Sequence, residues 1–221
     1  AYNFFDAGTL AADTTISFTN LPTEAQWTYT AEVGGLTTYD LSAAVPVKVF
    51  RGVSNQAQEP EGLFFKSDGA AMYVVDLKTR SIHQYTLSTE WDISTAVYTS
   101  KSFDFATQDG TPHEVFFKPD GTRMYMTSPA TDNVFEYTLS TAWDVSTASY
   151  VRLFYIGSEE TSPGGLFFKP DGTKMFIVGS NGDSVDEYTL STAWDISTAS
   201  PVAVFSVNPQ ESAPSSVSFT P

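Results

Sequence analysis

The chain contains no cysteine among its 221 residues, which excludes disulfide bonds, thiol nucleophiles and cysteine-ligated metals. Basic residues are scarce, since 11 lysine and arginine residues face 26 aspartate and glutamate residues, for a formal net charge of −15. A field of that sign repels phosphate backbones and anionic lipid head groups, so we expect neither nucleic acid nor a membrane surface as a partner. No apolar run approaches the roughly 18 residues of a transmembrane helix, so membrane insertion is not expected.

Histidine is almost absent as well, with only His83 and His113 in the sequence. A hydrolytic triad would need one of them beside a serine and an aspartate, and no G-x-S-x-G, H-E-x-x-H or phosphate-binding glycine motif occurs. Paired carboxylates of the glycosidase type depend on a distance in three dimensions, so the sequence leaves them open. On this basis we predict that the protein is not an enzyme.

The feature present in abundance is an internal repeat. Three nearly identical segments are EGLFFKSDGAAMYVV from Glu61, HEVFFKPDGTRMYMT from His113 and GGLFFKPDGTKMFIV from Gly164, and each leads into a second shared block that contains a Trp-Asp pair. Equivalent phenylalanine, glycine, tyrosine and tryptophan residues recur after 52 residues and then after 51. A regular period of this length is typical of solenoids and propellers.

Each unit contains four segments with strand character. In the third unit these are residues 166–169, 174–179, 184–191 and 202–207, and a Pro-Asp-Gly turn follows the first of them. The segments are short apolar runs or alternate between polar and apolar residues, and no helical spacing persists for ten residues. The pattern predicts an all-β β-propeller of four-stranded antiparallel blades.

The period also predicts the domain boundaries. Regular blades are expected at residues 61–112, 113–163 and 164–213, followed up to residue 221 by the first strand of a further blade. Residues 1–60 carry weaker strand signals without the Asp-Gly turn, which indicates a degenerate blade or a separate β attachment element. Further blades outside this sequence, a separate N-terminal element or a second chain would each explain the unpaired strands at the two ends. The absence of Met at position 1 leads us to expect a longer polypeptide.

Two resemblances follow from these segments. The block FFKPDGTKMFIV at residues 167–178 resembles the repeats of YVTN-type β-propellers, and the likeness extends over residues 61–221. This resemblance implies an architecture and no chemistry, because propellers carry many unrelated functions. The segment ADTTISFTNLP at residues 12–22, together with the YTLSTAWDISTAS repeats, is similar to tail-fibre and other virion proteins of bacteriophages, often marine ones.

The second resemblance implies a non-enzymatic structural or adhesive protein of a phage particle: a fibre, spike or decoration that recognises the host. Its expected location is the virion surface or the extracellular space. Its expected partners are virion subunits, a host receptor or a surface glycan, and oligomers are compatible with it. The alternatives are a secreted or cell-surface bacterial propeller that binds glycan or protein, and an extracellular polymer-degrading propeller enzyme.

The tryptophans of the repeat invite a sugar-stacking interpretation, but their equivalent positions favour a scaffold role. Each is followed by an aspartate suited to accept backbone N–H groups in the turn between the third and fourth strands. The residues concerned are Trp91, Trp143 and Trp194 with Asp92, Asp144 and Asp195.

Loops that differ between units are better candidates for binding, because packing does not dictate them and loops on rigid scaffolds often carry function. These loops are expected to share the face around the mouth of the central channel, and they are rich in carboxylates. Oxygen-rich loops raise the alternative of a bound calcium ion, but no calcium-binding spacing is present, so we expect no metal or other cofactor. The predicted partner-binding residues are Asp109, His113, Glu114, Glu159, Glu160, Asn181 and Asp183.

Overall fold

The computed structural model describes residues 52–108, 110–208, 211 and 213–219, which form three four-stranded antiparallel sheets. The predicted N-terminal unit therefore lies almost entirely outside the described residues. Within each sheet the strands pair in sequence order, as in a propeller blade. Blade 1 contains β1 (Pro60–Phe65), β2 (Ala71–Asp76), β3 (Ser81–Leu87) and β4 (Ala96–Asp104); blade 2 contains β5 (Val115–Phe117), β6 (Arg123–Ser128), β7 (Asn133–Leu139) and β8 (Ala148–Tyr155); blade 3 contains β9 (Pro163–Phe168), β10 (Lys174–Gly179), β11 (Ser184–Leu190) and β12 (Ala199–Ser206).

This arrangement confirms the prediction of an all-β fold with four-stranded antiparallel blades. Helical structure in the described ranges is limited to single turns of 3₁₀ helix, at Gly52–Asn55, Ile93–Thr95, Val145–Thr147 and Ile196–Thr198. Across those ranges, no helix has the length and apolar character needed to cross a membrane.

The turn between the first and second strands of each blade is built on a glycine covered by a tryptophan. Gly121 has φ +71°, and a Cβ atom added to it would lie 2.4 Å from the Trp143 ring. Trp143 itself has φ +65°, a conformation that is rare for a residue with a side chain. The same glycine–tryptophan pairs occur at Gly69 with Trp91 and at Gly172 with Trp194.

The aspartate after each tryptophan has the predicted scaffold role in its turn, and in blades 2 and 3 it also links neighbouring blades. Asp144 accepts the N–H of Ser146 at 3.1 Å, which caps the 3₁₀ turn, and Lys101 of blade 1 forms an ion pair with it at 2.7 Å. In the next blade Asp195 is paired in the same way with Arg152 at 2.6 Å. The Trp-Asp corner therefore stabilises both its own turn and an interface between blades.

The hydrophobic core lies between consecutive blades. Phe64, Phe116 and Phe167 of the first strands β1, β5 and β9 pack edge to face, with 5.6 Å between successive ring centroids. The buried Tyr73 hydroxyl donates to the Trp143 carbonyl at 2.9 Å, and Tyr125 donates to the Trp194 carbonyl at 2.6 Å. The first strands therefore lie side by side along the inside of the blade array.

Candidate functional site

The connections between blades and the loops between second and third strands meet on one face, which we call the mouth face. In blade 1 the N–H of Leu77, after β2, donates to the Glu59 carbonyl at 3.0 Å, just before β1. In blade 3 the N–H of Asn181, in the β10–β11 loop, donates to the Glu160 carboxylate at 3.3 Å. The mouth face is thus held together by contacts between these two sets of loops.

At the start of the inner strands, one repeat position carries glycine in two blades and glutamate in the third. A Cβ atom on Gly62 would lie 2.3 Å from the His113 carbonyl oxygen, and one on Gly165 would lie 2.7 Å from Ser216. Glycine is needed at these two positions because the next inner strand approaches so closely. Blade 2 has Glu114 at the equivalent position.

Glu114 has the most unusual electrostatics among the predicted site residues. Its side chain is half-buried, and burial raises the pKa of its carboxyl from the ordinary 4.5 to about 7, although a hydrogen bond from the Val115 N–H acts in the opposite direction. Its backbone is fixed by Thr127, whose Oγ1 accepts the Glu114 N–H at 3.1 Å and donates to the Gly164 carbonyl at 2.9 Å. No lysine or arginine in the described ranges forms an ion pair with it.

His113 and Glu61 lie beside Glu114. The Nε2 atom of His113 is 3.6 Å from Oε2 of Glu61, and both side chains remain partly exposed to solvent. Glu61 also lines an apolar cavity of about 240 Å³ against blade 1. The other residues of its lining are Val53, Pro60, Gly62, Leu63, Phe65, Met72, Val74 and Ile93. The side chains of Glu61 and His113 are therefore paired at the inner end of β1 and β5, and Glu114, with its raised pKa, follows His113 in the chain.

The predicted residues of blade 3 form a separate group, and most of them are engaged in hydrogen bonds within blade 3 and its loops. Glu160 is fully buried and accepts the N–H groups of Ser162, Asn181 and Gly182 at 2.9, 3.3 and 3.0 Å. Asp183 accepts a hydrogen bond from the Asn208 side chain at 3.0 Å. The Tyr188 hydroxyl reaches Glu159 at 3.5 Å.

Partner binding by these blade 3 residues and by His113 and Glu114 stays a prediction. Asp109, the remaining predicted residue, lies outside the described residues. In the described ranges, no group of three or more histidine, aspartate or glutamate side chains is placed to hold a metal ion.

Two parts of this face were missed by the sequence prediction. Glu61 occupies the same repeat position as His113, so the period of 52 residues was the signal that could have paired them. The second part is a hydrogen-bonded triad in blade 1, in which Asp76 and His83 are buried and Thr79 is exposed. Asp76 accepts the Thr79 hydroxyl at 2.6 Å, and the same hydroxyl lies 3.0 Å from Nε2 of His83. No local sequence motif indicates this hydrogen-bonded arrangement, because the three residues become neighbours only when β2 and β3 pair.

The model of the family described as Lactonase, 7-bladed beta-propeller matches residues 28–221. The chain belongs to this family. Solved structures similar to this lactonase-family chain include a candidate 6-phosphogluconolactonase from Bacteroides uniformis, with 12% identity, a TM-score of 0.51, and coverage of 69% of this chain and 43% of that one. A Lactobacillus plantarum protein has 13% identity and a TM-score of 0.52, with the same coverages of 69% and 43%.

A nidogen/laminin complex is a third similar structure, with 16% identity, a TM-score of 0.50, and coverage of 73% of this chain and 52% of that one. At these identities the likeness shows the fold alone. The chain spans 43% of the length of the first two structures. A comparison with curated proteins gave no match.

Membership of the lactonase family corrects three predictions. A non-enzymatic phage structural protein, the absence of enzymatic activity, and a location on a virion surface are all wrong, because the family is one of enzyme-type propellers. The β-propeller itself is confirmed, but neither the YVTN-type repeat nor the phage fibre likeness gains support. The physical reason is that repeated strands and turns specify a scaffold, and scaffolds of this kind carry many functions.

Proposed function

We propose that this lactonase-family propeller hydrolyses a lactone, with Glu114 as the general base that activates the attacking water. The observation that carries the proposal is the half-buried carboxyl of Glu114, whose pKa is raised to about 7, at a position where two other blades have glycine. A general base is most effective when its pKa lies near the working pH. Packing does not require a glutamate there, so its presence favours a chemical role.

The Glu114 carboxyl can carry both proton transfers. The water oxygen attacks the lactone carbonyl carbon while one water proton passes to the Glu114 carboxylate. The tetrahedral intermediate then collapses, the bond from the carbonyl carbon to the ring oxygen breaks, and the proton held by Glu114 passes to that oxygen, which restores the carboxylate. His113 and Glu61, with Nε2 3.6 Å from Oε2, are polar groups available to bind the lactone oxygens. The product is a hydroxy acid, and no atom is left over.

The position of the site supports a small substrate. The apolar cavity of about 240 Å³ beside Glu61 offers a wall for the carbon face of a sugar-like ring. Small-molecule sites commonly combine such apolar walls with a few converging polar groups. Glu61 is the charged residue of that lining, and its carboxylate lies 3.6 Å from His113 of the next blade.

The test is the rate of hydrolysis of glucono-1,5-lactone by the full chain, measured above the spontaneous rate. Glu114→Gln keeps the shape and removes the base, so we expect kcat to fall about 100-fold or more. Glu159→Gln changes a mouth-face carboxylate of blade 3 and is expected to leave kcat within about twofold. Glu114→Gly installs the residue of the other two blades and controls for folding, because it is expected to lose activity without losing stability. Full activity in Glu114→Gln, or no rate above the spontaneous one in the unaltered chain, would refute the proposal.

A further inference from the structure

The two interfaces between described blades each contain a cation from the outer strand of the first blade. Lys101 of β4 pairs with Asp144 of blade 2 at 2.7 Å, and Arg152 of β8 pairs with Asp195 of blade 3 at 2.6 Å. Both aspartates belong to Trp-Asp corners. Each cation therefore joins its own blade to the corner of the next one.

A phenylalanine two positions after each cation makes a second contact across the same interface. The Phe103 ring packs edge to face on the buried Tyr137 with ring centroids 5.0 Å apart, and the Phe154 ring packs in the same way on the buried Tyr188 at 5.8 Å. We call residues 101–103 and 152–154 the docking triplets. A docking triplet binds the Trp-Asp corner and the third-strand tyrosine of the following blade.

Blade 1 carries the same receiving groups on its side that faces away from blade 2. Asp92 caps its 3₁₀ turn with φ −99° and ψ 94°, close to the −107° and 98° of Asp144. Tyr85 is buried, as the equivalent tyrosines of the other two blades are. Trp91 is 58% exposed, whereas Trp194, against which aromatic rings of blade 2 stack, is 8% exposed. Blade 1 therefore presents a corner of the kind that a docking triplet binds.

The spacing of the docking triplets occurs again in Lys48-Val49-Phe50, which precedes the described residues. Lys48 lies 53 residues before Lys101, so the repeat leaves one additional residue between this triplet and blade 1. An outer strand does not itself require the cation, because β12 has Ala203 at that position and no further blade follows it in the described ranges. The lysine before blade 1 is therefore a sign of a corner to be bound.

We propose that residues 48–50 dock on the open side of blade 1, with the Lys48 ammonium on the Asp92 carboxylate and the Phe50 ring against Tyr85. The partner of this surface is the chain itself, because the triplet ends two residues before Gly52, where the first described 3₁₀ turn begins. The aromatic contact supplies most of the stabilisation, since a solvent-exposed ion pair contributes little. This interaction does not depend on lactone hydrolysis.

The first test is cysteine cross-linking in the full chain, which contains no native cysteine. Lys48→Cys/Asp92→Cys is treated with a short bismaleimide, and the products are separated under denaturing conditions. We expect cross-linking within one chain at least about fivefold above that of Lys48→Cys/Asp144→Cys, because proximity raises the effective concentration of the second thiol. Lys101→Cys/Asp144→Cys is the positive control, since those two side chains are in contact.

Two outcomes of the cross-linking overturn the proposal. A product that joins two chains would assign the open side of blade 1 to a second copy. A yield no higher than that of Lys48→Cys/Asp144→Cys, while the positive control reacts, would place the segment elsewhere.

A second measurement tests the aromatic contact without altering the corner. Phe50→Ala should lower the midpoint of urea unfolding about as much as Phe103→Ala, because each removes a ring that packs on a buried tyrosine. Val49→Ala is the matched control and should leave the midpoint unchanged, because alternate residues of a strand face opposite sides. An unchanged midpoint in Phe50→Ala, or a larger loss in Val49→Ala, would also overturn the proposal.

Discussion

On the face that carries the Asp-Gly turns, the three described blades are built alike, whereas on the mouth face each blade joins its loops differently. Gly69, Gly121 and Gly172 have φ values of +72°, +71° and +73°, and each is covered by a tryptophan. At the mouth, blade 1 uses the buried Asp76 carboxylate, blade 2 uses the Thr127 hydroxyl, and blade 3 uses the buried Glu160 carboxylate. The uniform face holds the blades with rigid turns, whereas the loops of the mouth face differ between blades and can carry functional residues.

The comparison also explains why this repeat position carries a side chain in one blade and not in its two neighbours. Gly62 and Gly165 leave no space for a side chain, because the following inner strand lies against them. At Glu114 the same repeat position carries a carboxyl group. A departure from the repeat at a crowded inner position is therefore a better indicator of a functional residue than the acidic character of the outer loops.

Substitution of the turn glycine of blade 2 tests whether the Asp-Gly turns are as rigid as their uniform geometry indicates. Gly121→Ala must keep φ near +71° and place its Cβ 2.4 Å from Trp143, so we expect a loss of about 3 kcal/mol in the free energy of unfolding. Urea denaturation followed by tryptophan fluorescence measures it. Gly110→Ala is the matched control, since nothing lies within 4 Å of its added Cβ, and it should change stability by under about 0.5 kcal/mol. Equal effects at the two positions would contradict the rigid-turn explanation.

A second substitution tests whether the stability of the mouth face depends on the buried carboxylate of Glu160 as strongly as that of the opposite face depends on Gly121. Glu160→Gln replaces one carboxylate oxygen by an N–H₂ group that faces backbone donors, so one or more of the N–H groups of Ser162, Asn181 and Gly182 loses its acceptor. We expect about 2 kcal/mol of destabilisation by the same urea measurement. The neighbouring Glu159→Gln should cost under about 0.5 kcal/mol. If both variants were equally stable, the loop junction of blade 3 would not depend on the charge of Glu160.

The titration of Glu114 predicts a modest dependence of stability on pH. Because its folded pKa is about 7 and its ordinary value is 4.5, the folded chain holds a proton that the unfolded chain releases, so stability falls as the pH rises from 4.5 towards 7. Glu114→Gln lacks this titration. Its free energy of unfolding should match that of the unaltered chain at pH 4 and exceed it at pH 8 by about 1 kcal/mol, since partial exposure reduces the full linkage value.

The same titration predicts the pH dependence of hydrolysis. Only the carboxylate form of Glu114 can accept a proton from water, so kcat should rise with pH through a midpoint near 7. An acid limb centred near 4.5, or a limb that persists in the residual activity of Glu114→Gln, would assign the base to another group.

Much of the fold was predictable because the interactions that define a blade are local. Strand pairing within a blade joins segments separated by short turns, and the Pro-Asp-Gly and Trp-Asp sequences carry their own backbone preferences. His113 and Glu114 could also be selected as candidate site residues from the sequence, since both depart from the repeat. The class of activity could not be predicted from the sequence, because the repeat that dominates it specifies packing and contains no information about a reaction.

The period, the four-stranded blades and the turn chemistry follow from the order of residues, since each depends on residues within about fifty positions of one another. Which carboxylates are buried or paired follows from the packing of the blades. It buried Glu160 under three backbone N–H groups, placed Glu61 against His113 of the next blade, and gave the Glu114 carboxyl a pKa of about 7 by burial. These properties arise where two blades meet, and desolvation and charge proximity depend on distances in space that the order of residues does not contain.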